Sequence, residues 1–188
     1  MAMRGAVERP SGLVYRTGLI NSQEESELLA RFATIEMAPV VMHGVASRRE
    51  VRHYGLRYDF DAWSTAPAEP IPGYLLQLGA RAGEVAGVDP STFAEALVTW
   101  YPPGATIGWH RDASAFGPVV VGVSLGSETV MRFQRRAAGG DRRVFEQPLA
   151  RRSAYVLAGA ARSVWQHSLP AVAQERWSVT FRQLRSRD

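Results

Sequence analysis

In the N-terminal half, apolar residues recur at helical spacing in two stretches. Leu28, Leu29 and Phe32 share one face of a segment opened by Ser22 and Glu25 as a capping box, which predicts a helix over about 22–34. Tyr74, Leu75, Leu78, Ala82 and Val85 follow Pro72 with the same period and predict a second helix over 72–86. Between them, residues 50–60 alternate in part and are rich in Tyr and Val, which reads as a strand. The proline-rich stretch 65–73 reads as a connection.

From about residue 94 the helical period disappears. Short runs rich in Val, Leu and aromatics predict strands over 94–101, 106–109, 118–125, 129–134, 143–149, 153–157 and 177–184. Ala137, Ala138, Gly139, Gly140 and Asp141 form a turn between two arginine-rich arms, a hairpin or equally a solvated edge. The expected class is α+β, mainly β, with the later strands closing into a barrel or jelly roll. No internal repeat or linker interrupts the 188 residues, so one domain is expected over 1–188, dividing at about 1–93 and 94–188.

Composition narrows the chemistry. The chain has no cysteine, which removes disulfides, thiolate nucleophiles, iron–sulfur clusters and cysteine-ligated zinc. All 22 basic residues are arginine, so lysine Schiff bases and lysine-dependent phosphate loops are excluded too. With 46% hydrophobic and 21% charged residues, the composition is that of a folded globular protein. No run approaches the length of a membrane span or a secretory signal, and the expectation is a cytoplasmic monomer without a membrane partner. Charge is uneven: residues 1–95 carry 9 Arg against 12 acids, and residues 96–188 carry 13 Arg against 6. A basic second half suits an anionic partner such as nucleic acid.

Any metal must then be held by His and carboxylate. His110 and Asp112 stand two apart in a predicted strand and so share a face, and His167 comes from a later strand. Two imidazoles and one carboxylate are the donor set of a facial triad, which suits non-haem Fe(II) better than calcium or magnesium. The plain alternative is a surface His beside a solvated Asp. Arg176 and Arg182, six apart in the last predicted strand, can also face one side. Inside a barrel each would need a buried anion, and a dicarboxylate would serve both. On an edge strand they would simply be solvated.

These residues carry a family resemblance. Residues 97–112, LVTWYPPGATIGWHRD, resemble the Tyr-x-x-Gly-x-x-Ile-x-x-His-x-Asp segment of the AlkB family of Fe(II)/2-oxoglutarate dioxygenases. Ser124-Leu125-Gly126, Trp165-x-His167 and Arg176-x5-Arg182 follow in the family's order, so the resemblance covers about residues 48–185. Arg52-His53-Tyr54-Gly55 with Tyr58-Asp59, and Ala115-Phe116 with Val123 to Glu128, are most similar to the branch that includes the tRNA wobble-uridine hydroxylase. The resemblance implies a double-stranded β-helix with an N-terminal nucleotide-recognition lid, and His110, Asp112 and His167 as iron ligands. It also implies that Arg176 clamps the distal carboxylate of 2-oxoglutarate with the Tyr101 hydroxyl, and that Arg182 lies near the chelating carboxylate. Thr99 stands where many relatives carry an Asn that touches the co-substrate, and Ser114 stands where the DNA-repair type has a base-reading acid.

The implied activity consumes 2-oxoglutarate and O2 on Fe(II) and oxidatively dealkylates N-alkylated bases of DNA or RNA, with release of formaldehyde and succinate. Hydroxylation of a tRNA base is the close alternative. A non-catalytic nucleic-acid-binding module and a zinc hydrolase built on the same triad are readings from other classes. A base must be single-stranded or flipped to enter such a site. Tyr54, Tyr58 and Trp63 are therefore candidate stacking residues, and Arg48, Arg49, Arg52 and Arg57 candidate phosphate contacts, although aromatics in a strand are commonly core. The hairpin arms Arg132, Arg135, Arg136, Arg142 and Arg143 are further phosphate candidates. His43 and His53 are not assigned to iron, because extra imidazoles would close positions the chemistry needs open.

Overall fold

The computed structural model describes residues 8–42, 45–59, 64–136 and 139–185. In chain order the elements are β1 (Leu13–Arg16), α1 (Ser22–Phe32), β2 (Ala38–Met42), β3 (Val45–Tyr54), β4 (Leu56–Asp59), β5 (Ser64–Pro67) and α2 (Gly73–Ala86). After a 3-10 turn at Pro90–Thr92 come β6 (Phe93–Tyr101), β7 (Ile107–His110), β8 (Phe116–Leu125), β9 (Thr129–Arg136), β10 (Arg142–Leu149) and β11 (Ser153–Leu157). The chain closes with α3 (Gly159–Ser163), β12 (Gln166–Leu169) and β13 (Arg176–Leu184).

The strands form an antiparallel jelly roll. A major sheet runs in the order β1-β11-β8-β13-β6-β3-β2, a minor sheet in the order β10-β9-β12-β7, and β4 pairs with β5 alone. Strand parity divides the core in two. Trp177, Val179 and Phe181 of β13, with Val121 and Val123 of β8, meet Leu28 and Phe32 of α1 and Leu75 and Leu78 of α2 on the outer face of the major sheet. Full burial of an aromatic such as Phe32 or Phe181 contributes roughly 2–3 kcal/mol. The opposite face packs Tyr101, Val120, Tyr155 and Leu157 against Met131, Phe133 and Leu169 of the minor sheet. Arg176, Ser178, Thr180 and Arg182 alternate with the helix-facing residues of β13 and so point between the sheets.

Both predicted helices are present, as is the β-rich second half. The capping box of α1 falls one residue earlier than expected: Asn21 Oδ1 accepts from the Glu24 amide at 2.9 Å, and the Asn21 amide donates to Glu24 Oε2 at 2.8 Å. Glu25 is instead drawn into the interior. The strand expected over 50–60 is two strands, because Gly55 turns the chain at φ 77° between β3 and β4, where a Cβ would strike the Ala94 carbonyl. Part of the proline-rich connection is β5, whose Pro67 ends a two-stranded ribbon where a missing amide is tolerated. Ala137 and Ala138 of the expected hairpin turn lie outside the described residues.

Candidate active site

Antiparallel pairing of β7 with β12 sets His110 directly opposite His167, and the two rings lie 4.2 Å apart between centroids. Asp112 is not in the strand as expected, since β7 ends at His110. The turn that follows nevertheless brings Asp112 Oδ2 to 3.8 Å from His167 Nε2. His110 Nδ1 donates to the Gly108 carbonyl at 2.9 Å, because that oxygen can only accept, and this leaves Nε2 with its lone pair. Burial lowers the pKa of both imidazoles, that of His167 to about 3, so both are neutral at pH 7. His167 Nδ1 is buried without a hydrogen-bond partner among the described residues.

Asp112 belongs to a charged chain that the sequence reading missed. Arg182 donates to Asp112 Oδ1 from Nε and Nη2 and to Glu95 Oε2 from Nη1, and His53 Nδ1 donates to Glu95 Oε1 at 2.8 Å. Burial acts against the Asp112 charge, but Arg182 and the two imidazoles outweigh it and hold the carboxyl well below the usual range. Glu95 has no solvent exposure. Its signal was a carboxylate two positions before Leu97 and four before Thr99, on the inward parity of an apolar strand. Among the described residues no group of three His, Cys, Asp or Glu side chains is drawn together closely enough to form a metal cluster. In type and protonation the donors fit a divalent metal: two neutral imidazoles and an ionised carboxylate with Oδ2 turned toward one of them.

A cavity of about 50 Å³ lies between the sheets, lined by Thr99, Tyr101, His110, Asp112, Tyr155 and His167 among others. Arg176, opposite Tyr101 in the β13–β6 register, is 1% exposed and stands 5.0 Å from the Tyr101 ring centroid rather than on the cavity wall itself. Arg176 Nη2 donates to Ser124 Oγ at 3.1 Å, while Nε and Nη1 are buried with no partner among the described residues. A buried cation with two unused donors calls for an anion. Toward the lid the site widens into a cleft of about 730 Å³, whose walls include Arg52, Arg57, Tyr58, Phe116 and Arg182.

The lid residues divide. Arg52 lines the cleft and is paired with Glu69 at 2.7 Å; Tyr58 also lines it, its ring 6.0 Å from Phe116. Tyr54 is not a stacking residue. Strand parity turns it to the helix side, where it is 7% exposed within the outer core and bonded to Tyr74. Ser114 is exposed and lines neither cavity, because it falls in the turn beyond Asp112. Trp63 and His43 lie outside the described residues. On the minor sheet, Arg132 and Arg142 each stand 5.3 Å from the Trp109 ring centroid, and Arg135 pairs with Glu8 at 2.6 Å.

Comparison with known proteins bears on this geometry. The sequence model of the 2OG-Fe(II) oxygenase superfamily matches residues 19–186. The "tRNA (carboxymethyluridine(34)-5-O)-methyltransferase ALKBH8" of Mus musculus is 28% identical over 165 residues, which cover 85% of this chain and 24% of the relative. The chain thus spans about a quarter of that relative's length. The "Probable RNA/DNA demethylase ALKBH6" of Danio rerio is 27% identical over 128 residues, 68% of this chain and 52% of the relative. The solved structure of OsALKBH1 superposes with a TM-score of 0.74 over 94% of this chain and 98% of that one, at 17% identity, a likeness of fold. The chain belongs to the 2OG-Fe(II) oxygenase superfamily.

Proposed function

We propose that this protein is an Fe(II)/2-oxoglutarate-dependent dioxygenase that removes N-alkyl groups from single-stranded or flipped nucleic-acid bases. The observation that carries the reading is Arg176, a fully buried guanidinium with two unused donors beside Tyr101, which lines the inner cavity together with two neutral imidazoles and an ionised carboxylate. In this reading His110, Asp112 and His167 hold the iron. Arg176 receives the distal carboxylate of 2-oxoglutarate with the Tyr101 hydroxyl, and Thr99 forms part of the co-substrate wall. Iron and 2-oxoglutarate together supply the oxidising power with O2; the protein supplies placement and a dry pocket. Hydroxylation of an N-methyl carbon gives a hemiaminal that collapses to the free N–H and formaldehyde.

The chain's own groups do the rest. Arg182 holds the Asp112 carboxylate in place and ionised, and the Gly108 carbonyl fixes the His110 tautomer so that Nε2 keeps the lone pair that a metal would take. The cleft is wide enough for a base, with Tyr58 and Phe116 on its wall and Arg52 at its side. Among the described residues no helix is long and apolar enough to cross a membrane.

The test is incubation with Fe(II), 2-oxoglutarate, O2 and a single-stranded oligonucleotide carrying 1-methyladenine and 3-methylcytosine, followed by mass spectrometry of the nucleosides. Methyl loss that disappears in His110→Ala supports the reading. Succinate formation without methyl loss favours a second reading, hydroxylation of a tRNA base, which the similarity to a protein named for carboxymethyluridine in tRNA supports. That reading predicts one added oxygen on a modified wobble uridine. Nucleic-acid binding with no consumption of 2-oxoglutarate sinks both and leaves a binding module. Turnover without 2-oxoglutarate indicates a hydrolase.

A further inference from the structure

Three guanidinium groups reach the space between the sheets from inward-facing strand positions, and they are not equivalent. Arg182 is already matched, since Asp112 and Glu95 both accept from it. Arg176 is unmatched at the closed end beside Tyr101. The third is Arg49, on β3. It lines both the inner cavity and the cleft, and among the described residues its guanidinium makes no hydrogen bond or ion pair. The β3–β6 register, with Glu50 opposite Trp100 and Val51 opposite Thr99, sets Arg49 beside Tyr101 on the inward parity. Burial, with a further contribution from the like charge of Arg182, holds its pKa below the ordinary arginine value. Even so lowered, a guanidinium stays charged at neutral pH.

We propose that Arg49 binds the second carboxylate of 2-oxoglutarate, the one remote from Arg176. This rests on the reading of the inner cavity as the co-substrate site. A dicarboxylate carries one anion at each end, and Arg176 and Arg49 are the two cations of the site left without one. The competing target is a phosphate or other anion of the nucleic acid in the cleft. Position favours the co-substrate: Arg49 lines the inner cavity together with Thr99, Tyr101 and His167, none of which is on the cleft wall.

The test is calorimetric titration of 2-oxoglutarate into the Mn(II)-loaded full chain under argon, for the unsubstituted protein, Arg49→Met and Arg49→Lys. A fluorescent single-stranded oligonucleotide is titrated separately without 2-oxoglutarate. The expected result is 2-oxoglutarate binding weakened roughly 10- to 100-fold in Arg49→Met, as for loss of a charge-assisted hydrogen bond, with partial recovery in Arg49→Lys and unchanged oligonucleotide affinity. Circular dichroism melts of each variant separate this from misfolding, and the Lys variant keeps the charge where the Met variant destabilises the fold. Unchanged 2-oxoglutarate affinity in Arg49→Met overturns the inference, and a fall in oligonucleotide affinity alone gives Arg49 to the nucleic acid. If the unsubstituted protein itself takes up no 2-oxoglutarate, the functional reading fails first and this inference with it.

Discussion

Arg182 directs two donors at a single oxygen of Asp112, with Nε at 3.1 Å and Nη2 at 2.6 Å from Oδ1. Its remaining amino group, Nη1, is 2.7 Å from Glu95 Oε2. One buried cation thus faces two buried carboxylates, and although burial opposes its charge, the carboxylates raise its pKa above the ordinary arginine value. Replacing Arg182 by Met leaves two carboxylates uncompensated. The expected loss is about 3–5 kcal/mol in urea denaturation, with part of it recovered in the double variant Arg182→Met/Glu95→Gln. An unchanged midpoint for the single variant would show that the pairing contributes nothing net.

Arg176 presents the opposite case. Its cost is carried by the free protein, because Nε and Nη1 have no partner among the described residues. Arg176→Met is expected to leave thermal stability in the absence of 2-oxoglutarate unchanged or higher, while weakening 2-oxoglutarate binding on the order of 100-fold. Melting curves with and without co-substrate read both effects. A variant that melts earlier yet binds 2-oxoglutarate normally refutes the assignment.

Acid should act through Glu25. Only 1% exposed, it accepts from Arg151 Nη2 at 2.8 Å, Arg152 Nη1 at 2.9 Å and the Gly126 amide at 3.0 Å. Burial pushes its pKa up, but these donors outweigh that effect and leave it below the ordinary 4.5. The unfolded chain therefore takes up the proton first. The stabilisation is complete at pH values above about 4.5 and fades as pH falls through the folded value. Glu25→Gln should cost about 2 kcal/mol at pH 7, less than a fully buried pair because both arginines are partly in water, and the gap to the parent should shrink by pH 3. Denaturant midpoints across pH 3–7 test the sign, and a gap that widens in acid would contradict it.

Gly122 faces Tyr155 across the β8–β11 pair, and a Cβ there would run into the Tyr155 ring and hydroxyl. Tyr155 lines the inner cavity, and burial pushes its hydroxyl pKa up to about 12, so it stays protonated. Gly122→Ala is expected to drive the ring toward the inner cavity, costing about 1–3 kcal/mol and, on the proposed function, weakening 2-oxoglutarate binding. The double variant Gly122→Ala/Tyr155→Ala should behave no worse than Tyr155→Ala alone. If it is worse by the full single-variant cost, the clash lies elsewhere.

What could be read along the chain is what local periodicity encodes. The helix near residue 22, the helix after Pro72 and the succession of strands from residue 93 follow from spacings of 3.6 and 2, which each segment carries without reference to the others. Motif order likewise singled out His110, Asp112, His167, Arg176 and Arg182, which the fold brings between its two sheets. Partnerships over long separations were not legible. Glu25 reads as half of a local capping box until Arg151 and Arg152 arrive from more than a hundred positions away. Tyr54 reads as a base platform until β3 joins the sheet and parity turns it to the helices. Glu95 and Arg49 read as ordinary charges in strands. Only the stacking of β3, β6 and β13 makes one the counter-charge of Arg182 and leaves the other without an anion. The sequence by itself determined the elements and the donor types, because those depend on neighbours along the chain. Which charges are neutralised and which remain open for a ligand was decided by tertiary structure, because burial and pairing depend on neighbours across it.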